Sequence, residues 1–380
     1  MIGLALFIAA GMLLAAQYLT TGLYLRRIGR PAPKNGCIGQ PRVSLIRPVC
    51  GVDAFDSETL ASSFRQDYPN YEIIFCAPHD NDPSVGLVRQ LIGNHPDIAA
   101  RLLIGLDSVT GNPKLNNLWK GWNAATSDWI CMSDSNLMLP SDYLSQLVAA
   151  WGPKTGLVSC PAIGSRPGNF GGSLEGVFLN SNQARIQFAA ASIGHGFAQG
   201  KTLFWNRAML EMAGGIKALG SHLAEDVTAT MIVHAQGKQV SLPRLPFAQP
   251  VGIRTLRQVW DRQLRWSRVR RDGFPFIFAG EFLNGAAIAS LIFGLATNLL
   301  GLSPILVLAY LGVWYAPEIW LMRRAGWPSQ WKDLAALPVR DLLIPSLWAV
   351  TFLRREIEWR GNVMSVPTPT SVGLTIGVQQ

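Results

Sequence analysis

The chain has 380 residues, 49% of them hydrophobic and only 15% charged, with a formal net charge of +9. That balance argues against a freely soluble enzyme and for a membrane-associated one with an anionic partner. Five widely spaced cysteines without a CxxC argue against a zinc site or a disulfide framework and fit a reducing compartment; no nucleic-acid motif is present.

Residues 2–25 carry no charge and are followed by Arg26, Arg27, Arg30 and Lys34. About 20 apolar residues span a bilayer, and basic residues favour the cytoplasmic side. The expected topology is a membrane helix over 1–25 with its N-terminus outside, then a Pro/Gly-containing linker over 26–41. Strand and helix alternate from there. Strands are expected at 43–46, 71–76, 101–104 and 129–133, and helices at 55–65, 84–92 and 115–125. This is the pattern of a doubly wound α/β sheet. The second and fourth strands end in acidic clusters, His79-Asp80-Asn81-Asp82-Pro83 and Ser133-Asp134-Ser135-Asn136. In open α/β sheets, ligands gather at the carboxyl ends of strands. No GxGxxG and no P-loop follows the first strand, so the ligand has to be held by carboxylates, a metal and scattered basic groups. Asp134 suits a metal shared with a phosphorylated ligand, or it simply closes a strand-end turn.

The glycine-rich run 164–172 predicts a mobile loop. A strand follows at 202–205. A helix then opens at Glu225-Asp226 and runs to His234, where the two acids also suit a helix N-terminus. Residues 254–271 interleave seven arginines with Leu, Val and Trp, which reads as an amphipathic helix lying on anionic lipid, as a phosphate clamp, or both. Two apolar runs, 283–301 and 303–322, predict a membrane hairpin that Arg323 and Arg324 return to the cytoplasm. Residues 333–353 contain Pro338, Arg340, Asp341 and Pro345 and are expected to be re-entrant or interfacial. The tail from Val363 is expected to be disordered. The five histidines show no ligand spacing and read as structural.

Taken together, these motifs resemble glycosyltransferases of the GT-A fold, and more narrowly a bacterial member of the ceramide glucosyltransferase family (family 21, family 2-like). The likeness covers roughly residues 1–355. Arg47-Pro48-Val49-Cys50-Gly51-Val52-Asp53 resembles the family's first strand and turn, and Asp82-Pro83 its first aspartate motif. Asn112-Pro113-Lys114-Leu115-Asn116-Asn117-Leu118 is similar to a distinctive family segment. Asp134-Ser135 resembles the second aspartate motif, Glu225-Asp226 the third, and Arg262-Gln263-Leu264-Arg265-Trp266 the (Q/R)xxRW signature. The resemblance implies a GT-A domain over 42–253, an interfacial helix over 254–274, a C-terminal membrane region over 275–355 and a tail over 356–380.

It also implies an inverting transfer of a hexose, glucose from UDP-glucose, to the primary hydroxyl of ceramide. The implied setting is the inner membrane, with a multi-pass chain and the catalytic domain facing the cytoplasm. Asp226 is the implied base, with Glu225 as its alternative. Asp134 would hold Mg²⁺ or Mn²⁺, while Lys114, Arg262 and Arg265 address the diphosphate. Asp82 would contact the nucleoside, with Asp80 as fallback, and Trp266 would pack on sugar or acceptor or anchor the bilayer interface. Asn136 departs from the acid found in many Asp-x-Asp motifs, leaving one carboxylate for the metal. Two other readings carry forward: a hopanoid-specific N-acetylglucosaminyltransferase of the same fold, and an inactive relative that binds lipid or nucleotide sugar.

Overall fold

Strands β1 (Val43–Pro48) and β2 (Tyr71–Ala77) are apolar over almost their whole length and buried on both faces, as parallel strands covered by helices must be. Successive side chains alternate between two cores. Ile46, Ile74, Ile130 and Met132 pack on one side against Leu115, Leu118 and Trp122. Val43, Leu45 and Cys131 pack on the other against Tyr143, Leu144 and Leu147. The computed structural model describes residues 1–30 and 37–353, with the short antiparallel strand pair 357–359 and 362–364. Part of the predicted linker (31–36) and all but 363–364 of the predicted disordered tail lie outside the described residues; 363–364 belong to a strand.

In chain order, a long helix α1 (Ile2–Ile28) precedes β1. Then come α2 (Asp56–Ala61), β2, α3 (Pro83–Gly93), β3 (Ala100–Ile104), α4 (Pro113–Ala124), β4 (Trp129–Ser133), α5 (Tyr143–Ala149), β5 (Thr155–Ser159), β6 (Ala162–Pro167) and α6 (Phe170–Val177). A π-helical turn (Phe178–Ala184) leads into α7 (Arg185–Ser192), β7 (Thr202–Asn206), α8 (Arg207–Glu211), α9 (Glu225–Ala235), β8 (Gln239–Ser241) and β9 (Phe247–Gly252). The C-terminal part holds α10 (Leu256–Gly273), α11 (Pro275–Ala279), α12 (Ala286–Leu299), α13 (Ile305–Arg324) and α14 (Trp331–Thr351).

The main sheet has the order β3-β2-β1-β4-β7-β5-β8. The first four strands run parallel, as the alternating pattern predicts, but β7 is antiparallel to both β4 and β5. The chain leaves β1 outward to β3, then returns to β4 on the other side of β1. The order therefore reverses between the carboxyl ends of β1 and β4, and a crevice opens there.

The run 164–172 is not a loop. Its first part is β6, paired in parallel with β9 from Ala162↔Phe247 to Pro167↔Gly252, and its second part starts α6. The glycines serve close approach rather than mobility. A Cβ on Gly171 would stand 2.0 Å from the Arg254 carbonyl oxygen, and one on Gly172 2.3 Å from that of Gly252.

Three helices are long and apolar enough to cross a membrane by length and composition: α1, α13 and α14. The expected first arm of the hairpin, 283–301, is only the 14-residue α12, roughly 21 Å long. Residues 331–351 form one continuous helix despite Pro338 and Pro345. One end of α14 is fastened to the α/β domain and the other to α10 and α11. Ser173 Oγ donates to Asp333 Oδ1 at 2.6 Å and Lys332 to the Pro167 carbonyl at 3.0 Å, while Arg271 donates to the Thr351 carbonyl and Trp348 to that of Phe278. A helix tied in this way runs alongside that domain.

Replacing Gly171 by alanine forces α6 off the β9 end. The expected cost is about 1–3 kcal/mol, the usual range for overpacking, read as a lower unfolding midpoint of the detergent-solubilised protein; an unchanged midpoint would contradict the close approach.

Candidate active site

The crevice is a cleft of about 1450 Å³. Asp82, Lys114, Asp134, Asp226, Arg262, Arg265 and Trp266 all line it, and so do Glu225 and Lys201. Asp80 stands apart, paired with Arg89 at 2.8 Å on the open surface.

Asparagines build the wall that carries Lys114. Asn112 caps α4, its Oδ1 accepting from the Lys114 amide at 2.9 Å, while its Nδ2 donates to Glu225 Oε2 at 3.0 Å. Asn116 Oδ1 accepts from the Thr110 amide at 2.8 Å, and Asn117 Nδ2 donates to the Cys76 carbonyl at 2.7 Å. The turn before α4 and the end of β2 are thereby locked to the same helix start. Pro113 occupies the first turn, where its missing N–H costs nothing.

Lys114 Nζ then lies 2.6 Å from Asp134 Oδ1, 2.6 Å from Glu225 Oε1 and 2.7 Å from the Gly200 carbonyl. Burial alone would discharge the amine, but the two carboxylates overcome it and hold its pKa well above the usual lysine range. Asp134 Oδ2 is in turn 3.0 Å from Lys201 Nζ, which also donates to Asn136 Oδ1 at 3.1 Å. Burial would raise the Asp134 pKa; Lys114 and Lys201 reverse that and hold it at about 2. Gly200 lets Glu225 approach closely, since a Cβ would stand 2.6 Å from Glu225 Oε1 and push that carboxylate aside.

Asp226 follows Glu225 in the first turn of α9 but, among the described residues, forms no ion pair. Its carboxylate accepts from the backbone N–H of Gly200 and of Val227, each at 2.9 Å. Burial, with the Glu225 charge beside it, pushes its pKa up to about 6. The two adjacent acids thus differ in environment: Glu225 neutralises Lys114, and Asp226 is a carboxylate able to take a proton near neutral pH.

Asp82 is engaged by the protein itself. Its oxygens accept from the Gly51 amide at 2.9 and 3.0 Å and from the Ser84 amide and hydroxyl at 2.9 and 2.6 Å, capping α3. These bonds outweigh burial and lower its pKa. On α10, begun by a Thr255–Gln258 capping box, Arg262 pairs with Glu175 at 2.9 Å. Glu175 is fully buried on α6. Trp266 is half-buried on the same helix. Lys201 and Glu175 escaped the reading by sequence, one as a lone lysine opening an apolar strand and the other just beyond the run 164–172 read as a loop.

Among the described residues, no three His, Cys, Asp or Glu side chains converge as a metal cage. The tip of β4 instead offers one carboxylate, Asp134, beside two ammonium groups. That fits a hard divalent ion bound jointly with phosphate oxygens and water.

Glycosyl transferase family 21 matches this chain over residues 7–372. The chain belongs to that family. Ceramide glucosyltransferase 3 of Caenorhabditis elegans is 28% identical over 335 residues, 85% of this chain and 72% of the relative. Ceramide glucosyltransferase of Komagataella phaffii is 41% identical over 112 residues, 28% of this chain and 22% of that protein. Among solved structures, the mannosyltransferase PcManGT from Pyrobaculum calidifontis, in complex with GDP-Man and Mn²⁺, matches with a TM-score of 0.55. It is 20% identical and the match covers 90% of this chain and 98% of that one. The glycosyltransferase thus has the GT-A fold, with membrane-type helices at both ends.

Removing Lys114 leaves Asp134 and Glu225 without their shared counter-charge. Lys114→Ala is expected to destabilise the glycosyltransferase by about 3–5 kcal/mol, as for other buried pairs broken on one side, measured by denaturant unfolding; wild-type stability would mean that the pairing carries no weight.

Proposed function

We propose that this glycosyltransferase moves glucose from UDP-glucose to the primary hydroxyl of ceramide with inversion, at the cytoplasmic face of the inner membrane. The observation that carries the reading is the separation of roles within one cleft. Lys114 and Lys201 gather around Asp134, with Arg262 lining the same cleft, while Asp226 is held by backbone amides and its pKa is pushed up to about 6. The first group suits a departing diphosphate, and the second suits the acceptor's proton.

Asp226 accepts that proton as the acceptor oxygen attacks the anomeric carbon. The Gly200 and Val227 amides keep its carboxylate aimed and prevent it from turning to Lys114. Lys114, Arg262 and Arg265 face the diphosphate, and Glu175 keeps Arg262 from swinging away. Asp82 contributes at the nucleoside end by holding the loop at Gly51. A Mg²⁺ or Mn²⁺ ion on Asp134 adds positive charge to the leaving diphosphate when bound. Trp266 packs against sugar or acceptor.

The lipid acceptor is supported by the apolar continuation of the cleft. Val269, Phe274, Ile277 and Phe278 line it, and Ile277 and its neighbour Phe276 are 78% and 94% exposed. Such residues dip into a bilayer surface. Arg26, Arg27 and Arg30 at the end of α1 support the cytoplasmic side for the domain. The polar side chains Gln183, His195 and Asn284 also line the cleft, and they favour a second reading with a polyhydroxylated acceptor, UDP-N-acetylglucosamine and a hopanoid.

Membranes supplied with UDP-glucose, UDP-galactose or UDP-N-acetylglucosamine and with either lipid separate the two by mass spectrometry. Hexosylceramide is the expected product; its absence with both UDP-hexoses rejects the ceramide reading. Asp226→Asn is expected to lower kcat by about 10²–10⁴-fold. A base acts only when deprotonated, so wild-type kcat/KM rises with pH and levels off above about 6. A flat profile from pH 5 to 8 would remove Asp226 from that role.

A further inference from the structure

Lys114 and Lys201 both bind Asp134, yet they are not equivalent. Lys114 holds two carboxylates, Asp134 and Glu225, each at 2.6 Å. Lys201 has one among the described residues, Asp134 at 3.0 Å, and its second contact is the neutral amide oxygen of Asn136 at 3.1 Å. Both side chains are largely buried, 16% and 15% exposed. An ammonium in such a place is costly without an anion.

The difference matters once Asp134 turns to a divalent ion. Lys114 keeps Glu225, whereas Lys201 loses its only carboxylate. Two residues along the strand end, Asn136 offers no charge to replace it. The anion that arrives with the ion is the donor diphosphate, in a cleft that Lys201 already lines. A divalent cation and the diphosphate of a nucleotide sugar, of equal and opposite charge, add no net charge to the cleft when they enter together.

We propose that Lys201 is a donor-binding residue that exchanges Asp134 for a diphosphate oxygen when the metal and the nucleotide bind. In the empty cleft it competes with the metal for Asp134; in the loaded cleft it holds the phosphate. Asn136, at the position where an acid would bind Lys201 permanently, leaves it free to make that exchange. This rests on the nucleotide-sugar reading above.

The test is calorimetry on the full-length, detergent-solubilised chain with two probes, Mn²⁺ alone and UDP in saturating Mn²⁺. Lys201→Gln is expected to bind Mn²⁺ more tightly than wild type and UDP about 10- to 100-fold more weakly, the range for a lost charge-assisted hydrogen bond. Lys201→Arg is expected to restore most of the UDP affinity. A lysine that merely stiffens the site would move both affinities in the same direction when removed, and that result, or no change in UDP binding, overturns the proposal. Asn136→Asp gives an independent check, with weaker UDP binding expected and unaltered or tighter UDP binding against the proposal. Failure of UDP to bind wild type at all counts against the nucleotide-sugar reading itself and is distinguishable from either outcome.

Discussion

The Lys114 ammonium joins three parts of the chain that have little else in common. Asp134 comes from the tip of β4, Glu225 from the first turn of α9, and the Gly200 carbonyl from the approach to β7. Each carboxylate alone would repel the other, and the lysine alone would be discharged by burial. The three are stable only together. Their mutual dependence fixes how far α9 stands from the sheet, and with it the position of Asp226. The geometry of the cleft and local stability are therefore the same problem in this fold.

Around that contact the backbone is set by side-chain amides. Asn112, Asn116 and Asn117 each satisfy main-chain groups from a different segment, so the start of α4 cannot shift without breaking bonds to β2 and to the turn at Thr110. Arg47 works beneath the other wall. It is fully buried and donates to the carbonyls of Ser135 and Leu137, supporting the turn that carries Asp134. Burial lowers the Arg47 pKa to about 10, still far enough above neutrality for the charge to persist.

Much of this was legible in the sequence because the signals are local. Apolar runs ending in acids gave the parallel strands and their tips, and ordered motifs gave Lys114, Asp134, Asp226 and the arginine helix. What was not legible depends on contacts between distant segments. Nothing in Thr202–Asn206 says that it enters the sheet antiparallel, between β4 and β5. The glycines at 171 and 172 read as looseness because the backbone that presses on them is some 80 residues away, at Gly252 and Arg254. Glu175 and Lys201 carry no motif; their meaning comes from Arg262 and Asp134, which the chain brings to them only when folded. The 333–353 segment was ambiguous because its charges have partners on other helices.

Those partners bear on how the molecule is put together. Arg340 binds Glu318 on α13, its neighbour Asp341, and Ser181 in the π-helical turn of the catalytic domain. Arg185, at the start of α7, binds Gln17 and Thr20 on α1, and Gln17 in turn donates to Glu318. Glu318 finds its cationic partner on another helix, and an uncompensated charge in a bilayer is expensive. Packing of the C-terminal helices is consequently completed by residues of α7 and the π-helical turn. The seam between anchor and enzyme is a polar core of its own, so cutting the chain there to obtain a soluble catalytic fragment would expose Arg185 and Ser181 while stranding Arg340. Purification of this enzyme calls for the anchor and the catalytic domain to be kept as one piece.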